Sequence, residues 1–304
     1  MKYSVIIPAF NEQEVLPLSY PRLKKVMDKL GGYELIYVDD GSRDDTLIML
    51  KQLAKKDKKV KVLSFSRNFG HQEAVSAGMA KSTGSAVIII DCDLQDPPEV
   101  IPQMIEKWKQ GADIVYGQRT KRKGESVFKK LTAWVYYKTL SLLGGQPIPR
   151  NTGDFRLIDR KVCDALNAMP EKNRFLRGMS AWSGFTAVPI LFERDERAAG
   201  QTKYSMGKML KLAGDGVTSF SNRPLKLPLY FGMFIGFSST AYLIVSIVLS
   251  CMGTWALSHV LFAIVFMLIS ALFVSLGIFG LYLARIYDEA KSRPIYIINE
   301  QINF

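Results

Sequence analysis

The sequence predicts an α/β fold: a mostly parallel sheet, followed by a C-terminal pair of transmembrane helices. Three observations predict it. Short apolar runs alternate with helical segments from Ser4 to Tyr116, several of those runs are apolar throughout, and two long stretches near the C-terminus carry no charge. A run that is apolar on both faces reads as a strand covered on both sides, as parallel strands under crossover helices are.

The elements follow in order. Ser4–Pro8 reads as a strand and Glu14–Leu30 as a helix ended by Gly31-Gly32. Glu34–Val38 is a strand, Asp45–Lys56 a helix, Val60–Phe65 a strand and Gln72–Lys81 a helix. Ala86–Ile90 is a nearly all β-branched strand, Pro98–Gln110 a helix and Asp113–Tyr116 a strand. Ligands of such sheets sit beyond the carboxyl ends of the strands. That rule selects Pro8–Glu12, Asp39–Ser42, Ser66–His71 and Asp91–Asp96.

Further along, Glu125–Leu143 mixes aromatic and aliphatic residues with Lys129, Lys130 and Lys138. The pattern fits an amphipathic helix on a membrane face and equally a core helix of the soluble domain. Tyr204–Phe220 is a second segment of this type. Leu227–Met252 and Val260–Ala284 then run for 26 and 25 residues without Lys, Arg, Asp or Glu. As a helix each reaches about 37 Å, enough for a hydrocarbon core of about 30 Å. Only Gly253–His259 separates them, so they read as a hairpin. Arg223 and Lys226 precede the first span, Arg285, Lys291 and Arg293 follow the second, and the turn has no Lys or Arg. The positive-inside rule places both termini in the cytosol of a multi-pass protein of the cytoplasmic membrane. The expected organisation is a cytosolic domain over 1–220, the two spans within 221–290, and a cytosolic tail over 291–304.

The formal charge is +12, from 40 Lys and Arg against 28 Asp and Glu. Beside a membrane hairpin this excess favours an anionic lipid surface as the partner. A nucleic-acid partner is set aside, since no aromatic-basic strand platform is visible. Cys92, Cys163 and Cys251 stand in no metal-ligand spacing and predict no disulfide.

Asp91-Cys92-Asp93 ends a buried apolar strand. Residues two apart on a strand face the same way, so two carboxylates converge there. Two buried like charges repel, and a divalent cation removes that cost. Their hard oxygens suit Mg²⁺ or Mn²⁺ bridging to a diphosphate. A solvated acidic loop before Pro97-Pro98 is the plainer reading of the tripeptide alone. Asp39-Asp40-Gly41-Ser42 follows the second strand, and Ser42 with Asp45 fits a capping box. Asp39 and Asp40 are less easily explained by capping, and a carboxylate at a strand tip can accept from a base or ribose. Pro8-Ala9-Phe10-Asn11-Glu12 offers the opposite wall of the same crevice.

Pro8–Glu12, Val38–Ser42, Asp91–Glu99 and Thr152-Gly153-Asp154-Phe155-Arg156-Leu157 occur in that order. Together they resemble the family 2 glycosyltransferases, in the polyprenyl-phosphate branch related to dolichol-phosphate mannose synthase and bactoprenol glucosyltransferase. Glu196–Ser205 resembles that branch's acceptor-side signature, and the two spans resemble its membrane-anchored bacterial members. The resemblance covers essentially the whole chain. It implies a nucleotide-sugar-binding domain of the GT-A type, a nucleotide-diphosphate sugar donor and a divalent metal. By that likeness Pro8, Asn11, Glu12, Asp39 and Asp40 hold the nucleoside and Arg67 approaches the diphosphate. Asp91 contacts donor sugar or ribose, and Asp93 ligates the metal with Asp91. Cys92 lies in this donor-binding stretch with its side chain turned away and no redox role.

The implied acceptor is a polyprenyl phosphate such as undecaprenyl phosphate, with a second pKa of about 6. Near neutral pH it is largely a dianion, so the site needs a cationic cradle more than a strong base. Arg197, Lys203 and Ser205 are the expected acceptor-phosphate residues. Asp154 is the catalytic residue, with two roles open: base for a singly protonated acceptor, or stabiliser of positive charge at the anomeric carbon. Inversion, UDP with glucose or N-acetylglucosamine, a homo-oligomer and a separate flippase are further expectations of the resemblance. Two rivals are a processive polysaccharide synthase, whose Gln-x-x-Arg-Trp signature is absent at Arg174–Gly178, and a non-catalytic membrane scaffold.

Overall fold

The structure, a computed structural model, describes residues 2–119, 152–193 and 257–304. Two compact units share the chain, one of 1–138, 146–211 and 294–304, the other of 139–145 and 212–293. The expected amphipathic segments at 125–143 and 204–220, the span at 227–252 and the acceptor residues Arg197, Lys203 and Ser205 lie outside the described residues.

In the first unit the described strands are β1 (Tyr3–Ala9), β2 (Tyr33–Asp39), β3 (Val60–Phe65), β4 (Ala86–Ile89), β5 (Ile114–Arg119), β6 (Thr152–Asp159), β7 (Ala187–Phe192) and β8 (Ile298–Ile302). The helices between them are α1 (Leu16–Leu30), α2 (Thr46–Lys56), α3 (His71–Lys81), α4 (Ile101–Lys109), α5 (Arg160–Ala168) and α6 (Leu176–Trp182). A 3-10 turn, Pro98–Val100, leads into α4. Strands β1 to β5 and helices α1 to α4 fall within a few residues of the sequence expectation.

The sheet order is β7-β5-β6-β4-β1-β2-β3-β8. Strands β4, β1, β2 and β3 are parallel neighbours, as are β5 and β7. Parallel pairings outnumber antiparallel ones in line with the mostly parallel sheet expected, but the sheet is mixed, because β6 runs antiparallel between β4 and β5, and β8 antiparallel to β3. The crossover helices force parallel pairing only on the strands they connect. The parallel strands hold the core: Val5, Ile7, Leu35, Tyr37, Val62 and Ile88 are buried with Leu16 and Met27 of α1 and Leu50 of α2.

The sequence reading gave 291–304 no structure beyond a tail. Its last residues instead form β8, and the anchoring is specific. The Asn303 side-chain amide donates to the carbonyls of Ala54 (2.7 Å) and Val60 (2.8 Å), and Lys51 pairs with Glu300.

The second unit contains α7 (Leu257–Ala290), which covers the second expected span. At 34 residues it is about 50 Å long at roughly 1.5 Å per residue. Only some of its side chains are described, and among the described residues no helix is long and apolar enough to cross a membrane.

Candidate active site

The β1–α1 and β2–α2 loops are stitched together at the strand tips. The Asn11 amide donates to Ser42 Oγ (3.0 Å), Arg43 N–H donates to Asn11 Oδ1 (2.8 Å), and Glu12 N–H donates to Thr46 Oγ1 (2.8 Å). Asn11 has φ 53°, a left-handed conformation that Asn tolerates better than most residues. The expected capping box is absent: Asp45 is the N-cap of α2 without a side-chain bond, and Ser42 is used between the loops instead. Pro8 is a buried residue of β1.

Asp39 and Asp40 are almost fully buried. Asp39 accepts from Ser42 N–H (3.2 Å) and Ser64 Oγ (3.1 Å). Asp40 accepts from the Phe69 amide (2.7 Å), the Gly70 amide and the Asn68 side chain (2.9 Å). Burial outweighs these bonds and raises the Asp40 pKa. Asp40 thus organises the β3–α3 loop, a role the sequence gave no hint of. Arg67, in that loop, is exposed, with its guanidinium 4.0 Å from the Phe69 ring centroid.

Gly41 must be glycine here. It sits at φ 67°, and a Cβ would stand 2.6 Å from the Asn68 nitrogen and closer still to the Arg67 carbonyl carbon. Main chain cannot step aside as a flexible side chain can. We expect Gly41→Ala to lose about 2 kcal/mol from left-handed strain and the clash together, seen as a lower melting temperature.

The strand β4 stops at Ile89, so Asp91-Cys92-Asp93 lies in the loop beyond it rather than on it. Alternation survives nonetheless. Cys92 is buried in the core with its sulfur 3.4 Å from Ser19 Oγ, while Asp91 and Asp93 are partly exposed. Burial pushes the Cys92 thiol up to about 12, so it is inert. Its side chain packs into the core, turned away from the two carboxylates as the sequence reading placed it. Asp93 Oδ1 accepts from Gln95 N–H (3.1 Å), and Leu94 between them has φ 57°, unusual for a bulky side chain.

Three residues from other elements, with Arg156 of the same strand, converge on Asp154 in β6. His71 Nε2 at the start of α3 is 3.3 Å from Asp154 Oδ2 and 3.6 Å from Asp91 Oδ1. Gln72 Nε2 donates to Asp154 Oδ2 (3.3 Å) while its Oε1 accepts from Leu176 N–H (3.0 Å). Arg177 Nε of α6 is 3.3 Å from Asp154 Oδ1, and Arg156 Nη2 is 3.9 Å from it. Burial alone would raise the Asp154 pKa, but Arg177, His71 and Arg156 prevail and hold the carboxyl far below the usual range. Burial works against a charged His71, yet Asp91 and Asp154 raise it to about 9. Burial raises Asp91, and the neighbouring His71 only partly offsets this.

The sequence reading named Asp154 but not His71, Gln72, Arg156 or Arg177. The strand-tip rule did select the segment ending at His71. Arg177 had no local signal, since it reaches the site from a separate helix.

The residues fit a hard divalent cation. Asp91 Oδ1 is buried without a hydrogen-bond donor, an oxygen that a cation would satisfy. Among the described residues no group of three His, Cys, Asp or Glu forms a metal cage. A Mg²⁺-type ion needs none, since it is held by one or two carboxylates with substrate phosphates completing its shell.

The fold is an α/β domain whose strand-tip loops carry Asp40 and Asp91, with Asp154 of β6 joined to Asp91 through His71. The chain belongs to glycosyl transferase family 2, whose family model matches residues 4–166. A Bacillus subtilis (strain 168) protein named as an uncharacterized glycosyltransferase is 48% identical over 311 residues, covering 99% of this chain and 94% of its own. Bactoprenol glucosyl transferase of Shigella phage SfX is 39% identical over 318 residues, covering 99% of this chain and all (100%) of its own. Among solved structures, glucosyl-3-phosphoglycerate synthase from Mycobacterium tuberculosis has 20% identity and a TM-score of 0.46, covering 72% of this chain and 78% of its own.

Proposed function

We propose that this chain transfers a sugar from a nucleotide-diphosphate sugar, UDP-glucose or UDP-N-acetylglucosamine, to a polyprenyl phosphate at the cytosolic face of the membrane, inverting the anomeric centre. The observation that carries the acceptor class is the setting of Asp154, with Arg177 Nε and His71 Nε2 each at 3.3 Å and Arg156 Nη2 at 3.9 Å from its carboxylate. Its carboxylate is held ionised by Arg177, His71 and Arg156. A carboxylate so strongly held is a poor proton acceptor near neutral pH, and a phosphate dianion has no proton to give up. Catalyst and acceptor therefore match. A sugar hydroxyl would demand a base, and a carboxylate paired as Asp154 is serves poorly as one. Full-length similarity to bactoprenol glucosyl transferases supports the same acceptor and favours glucose.

In this reading Asp154 stabilises positive charge developing at the anomeric carbon, and the surrounding cations keep its geometry fixed. Asp91 and Asp93 would hold Mg²⁺ or Mn²⁺, which when bound supplies charge neutralisation for the departing diphosphate. Asp39, with Pro8, Asn11 and Glu12, forms the nucleoside wall, and Asp40 holds the loop that presents Arg67 to the diphosphate. Arg197, Lys203 and Ser205 complete the reading as the acceptor-phosphate cradle.

The membrane placement rests on the two uncharged stretches and on chain topology. In chain order the strands of this one sheet begin with β1 and end with β8, which follows α7. A chain that leaves a domain and returns to the same sheet crosses any bilayer an even number of times. Two spans with both termini cytosolic satisfy this; one span does not. Exposed apolar side chains on α7, among them Leu272, Leu276, Phe279 and Leu283, suit a lipid environment. A homo-oligomer and a separate flippase belong to the reading as partners.

The test is transfer by purified full-length protein supplied with polyprenyl phosphate and a panel of labelled nucleotide-sugars, with and without a chelator. Labelled lipid product from one UDP-sugar, lost with EDTA and restored by Mg²⁺ or Mn²⁺, is expected. Donor hydrolysis without lipid product, or no loss with EDTA, would overturn the acceptor or the metal part respectively.

A further inference from the structure

The β3–α3 loop, residues 66–70, carries Arg67 and delivers His71 and Gln72 to Asp154. One side of it is gripped by Asp40 and packed on Gly41. The other side rests on the C-terminal segment. Ser66 N–H donates to the Ile297 carbonyl (3.1 Å). The Tyr296 ring stacks on Phe65 at 5.2 Å between centroids and 7° between planes. Phe65 in turn meets Phe69 edge to face at 5.6 Å, and Phe69 underlies the Arg67 guanidinium. The contacts form one line: Tyr296, Phe65, Phe69, Arg67. The β3–β8 register also slips between Ser64 and Phe65, where the chain turns from the strand into this loop. Irregular pairing of this kind re-aims side chains beside active sites.

We propose that Tyr296 and Ile297 are positioning residues for the donor site: a strut from the C-terminal segment fixes the β3–α3 loop and, through it, Arg67, His71 and Gln72. The segment that follows α7 is thus a working part of the site rather than a tail. The strut acts through the loop and touches neither donor nor acceptor. It rests on the nucleotide-donor reading above only for its effect on binding; the ordering of the loop is independent of it.

The experiment uses full-length protein in detergent, with Tyr296→Ala, Tyr296→Leu, Tyr296→Phe and Asn303→Ala. Asn303→Ala removes three hydrogen bonds at the far end of the strand, those to the Ala54 and Val60 carbonyls and the one accepted from Lys58 Nζ, and leaves the loop untouched. It controls for simple weakening of β8. Amide exchange of the 66–72 segment and UDP affinity are read together with melting temperature. Loss of an aromatic stack is worth about threefold to tenfold. Tyr296→Ala, or Tyr296→Leu if the alanine variant does not fold, is expected to weaken UDP binding by that factor and to speed exchange at Phe69 and Gly70. Tyr296→Phe keeps the ring and restores both. Asn303→Ala lowers the melting temperature without moving either. Unchanged exchange at Phe69 and Gly70 in both the alanine and leucine variants, or an equal change in Asn303→Ala, overturns the strut. Failure of the wild-type protein to bind UDP, with the exchange pattern as expected, overturns the donor reading and leaves the loop-ordering strut standing.

Discussion

Asp154→Asn is expected to lower sugar transfer about 10²- to 10³-fold, the usual scale for removing one electrostatic stabiliser, while UDP affinity stays within a few-fold of wild type. Asparagine keeps the shape and can still meet Gln72. It removes the negative charge that Arg177, His71 and Arg156 surround. In the proposed reading nothing then balances positive charge at the anomeric carbon, and Arg177, His71 and Arg156 lose their shared counter-charge. The pH profile separates the two roles held open for this residue. Burial raises the Asp154 pKa, but the adjacent cations lower it more, so it stays ionised well below neutrality. A rise in wild-type transfer through about pH 6 therefore reports the second ionisation of the acceptor phosphate. That limb should persist in the residual activity of Asp154→Asn. Its disappearance in the variant would restore the base role, and near wild-type turnover would remove Asp154 from catalysis altogether.

The parallel half of this sheet was legible because its strands are buried on both faces. Val5, Ile6 and Ile7, or Ala86 to Ile89, are apolar without a break, and no helix of that length competes. The antiparallel additions were not legible, each for its own reason. β6 carries Asp154 and Arg156 among its apolar residues, so it reads as a functional motif rather than a strand. β7 contains Pro189, tolerated there because β7 is the last described strand on its side of the sheet. β8 is five residues long, and Asn299, Glu300 and Gln301 lie between its two isoleucines. The site divides in the same way. Asp91, Asp93 and Asp154 stand in local motifs, whereas Arg177 and His71 join them only through the packing of α6 and α3 at the strand tips. The capping box misled because Ser42 satisfied a local pattern, and the fold used its hydroxyl across two loops.

The second large effect lies at the opposite end of the strands and concerns stability. Glu34 is wholly buried near the start of β2. It accepts from Ser4 Oγ (2.5 Å), Thr83 N–H (2.8 Å) and Thr83 Oγ1 (2.8 Å), and Lys61 Nζ lies 2.7 Å from its other oxygen. Glu34→Ala removes the shared partner of β1, β3 and the α3–β4 loop at once and strands a mostly buried Lys61. Breaking such a pair from one side costs about 3–5 kcal/mol. At about 2–4 °C per kcal/mol for a domain of this size, the melting temperature should fall by roughly 10 °C or more. Glu34→Gln should cost less, since an amide oxygen still serves Ser4 and Thr83. Burial opposes the charged form of Glu34, but Lys61, Ser4 and Thr83 together lower its pKa below the ordinary 4.5. The unfolded chain then binds the extra proton first, so this contribution is complete above about pH 4.5 and is lost as pH falls through the folded value. Wild-type protein should therefore lose stability on acidification more steeply than Glu34→Gln, whose amide does not titrate. Because the network is remote from Asp154, the fraction of Glu34→Gln that remains folded should bind UDP as wild type does. A fall in UDP affinity without a fall in melting temperature would contradict the separation of a stabilising end of the sheet from a catalytic one.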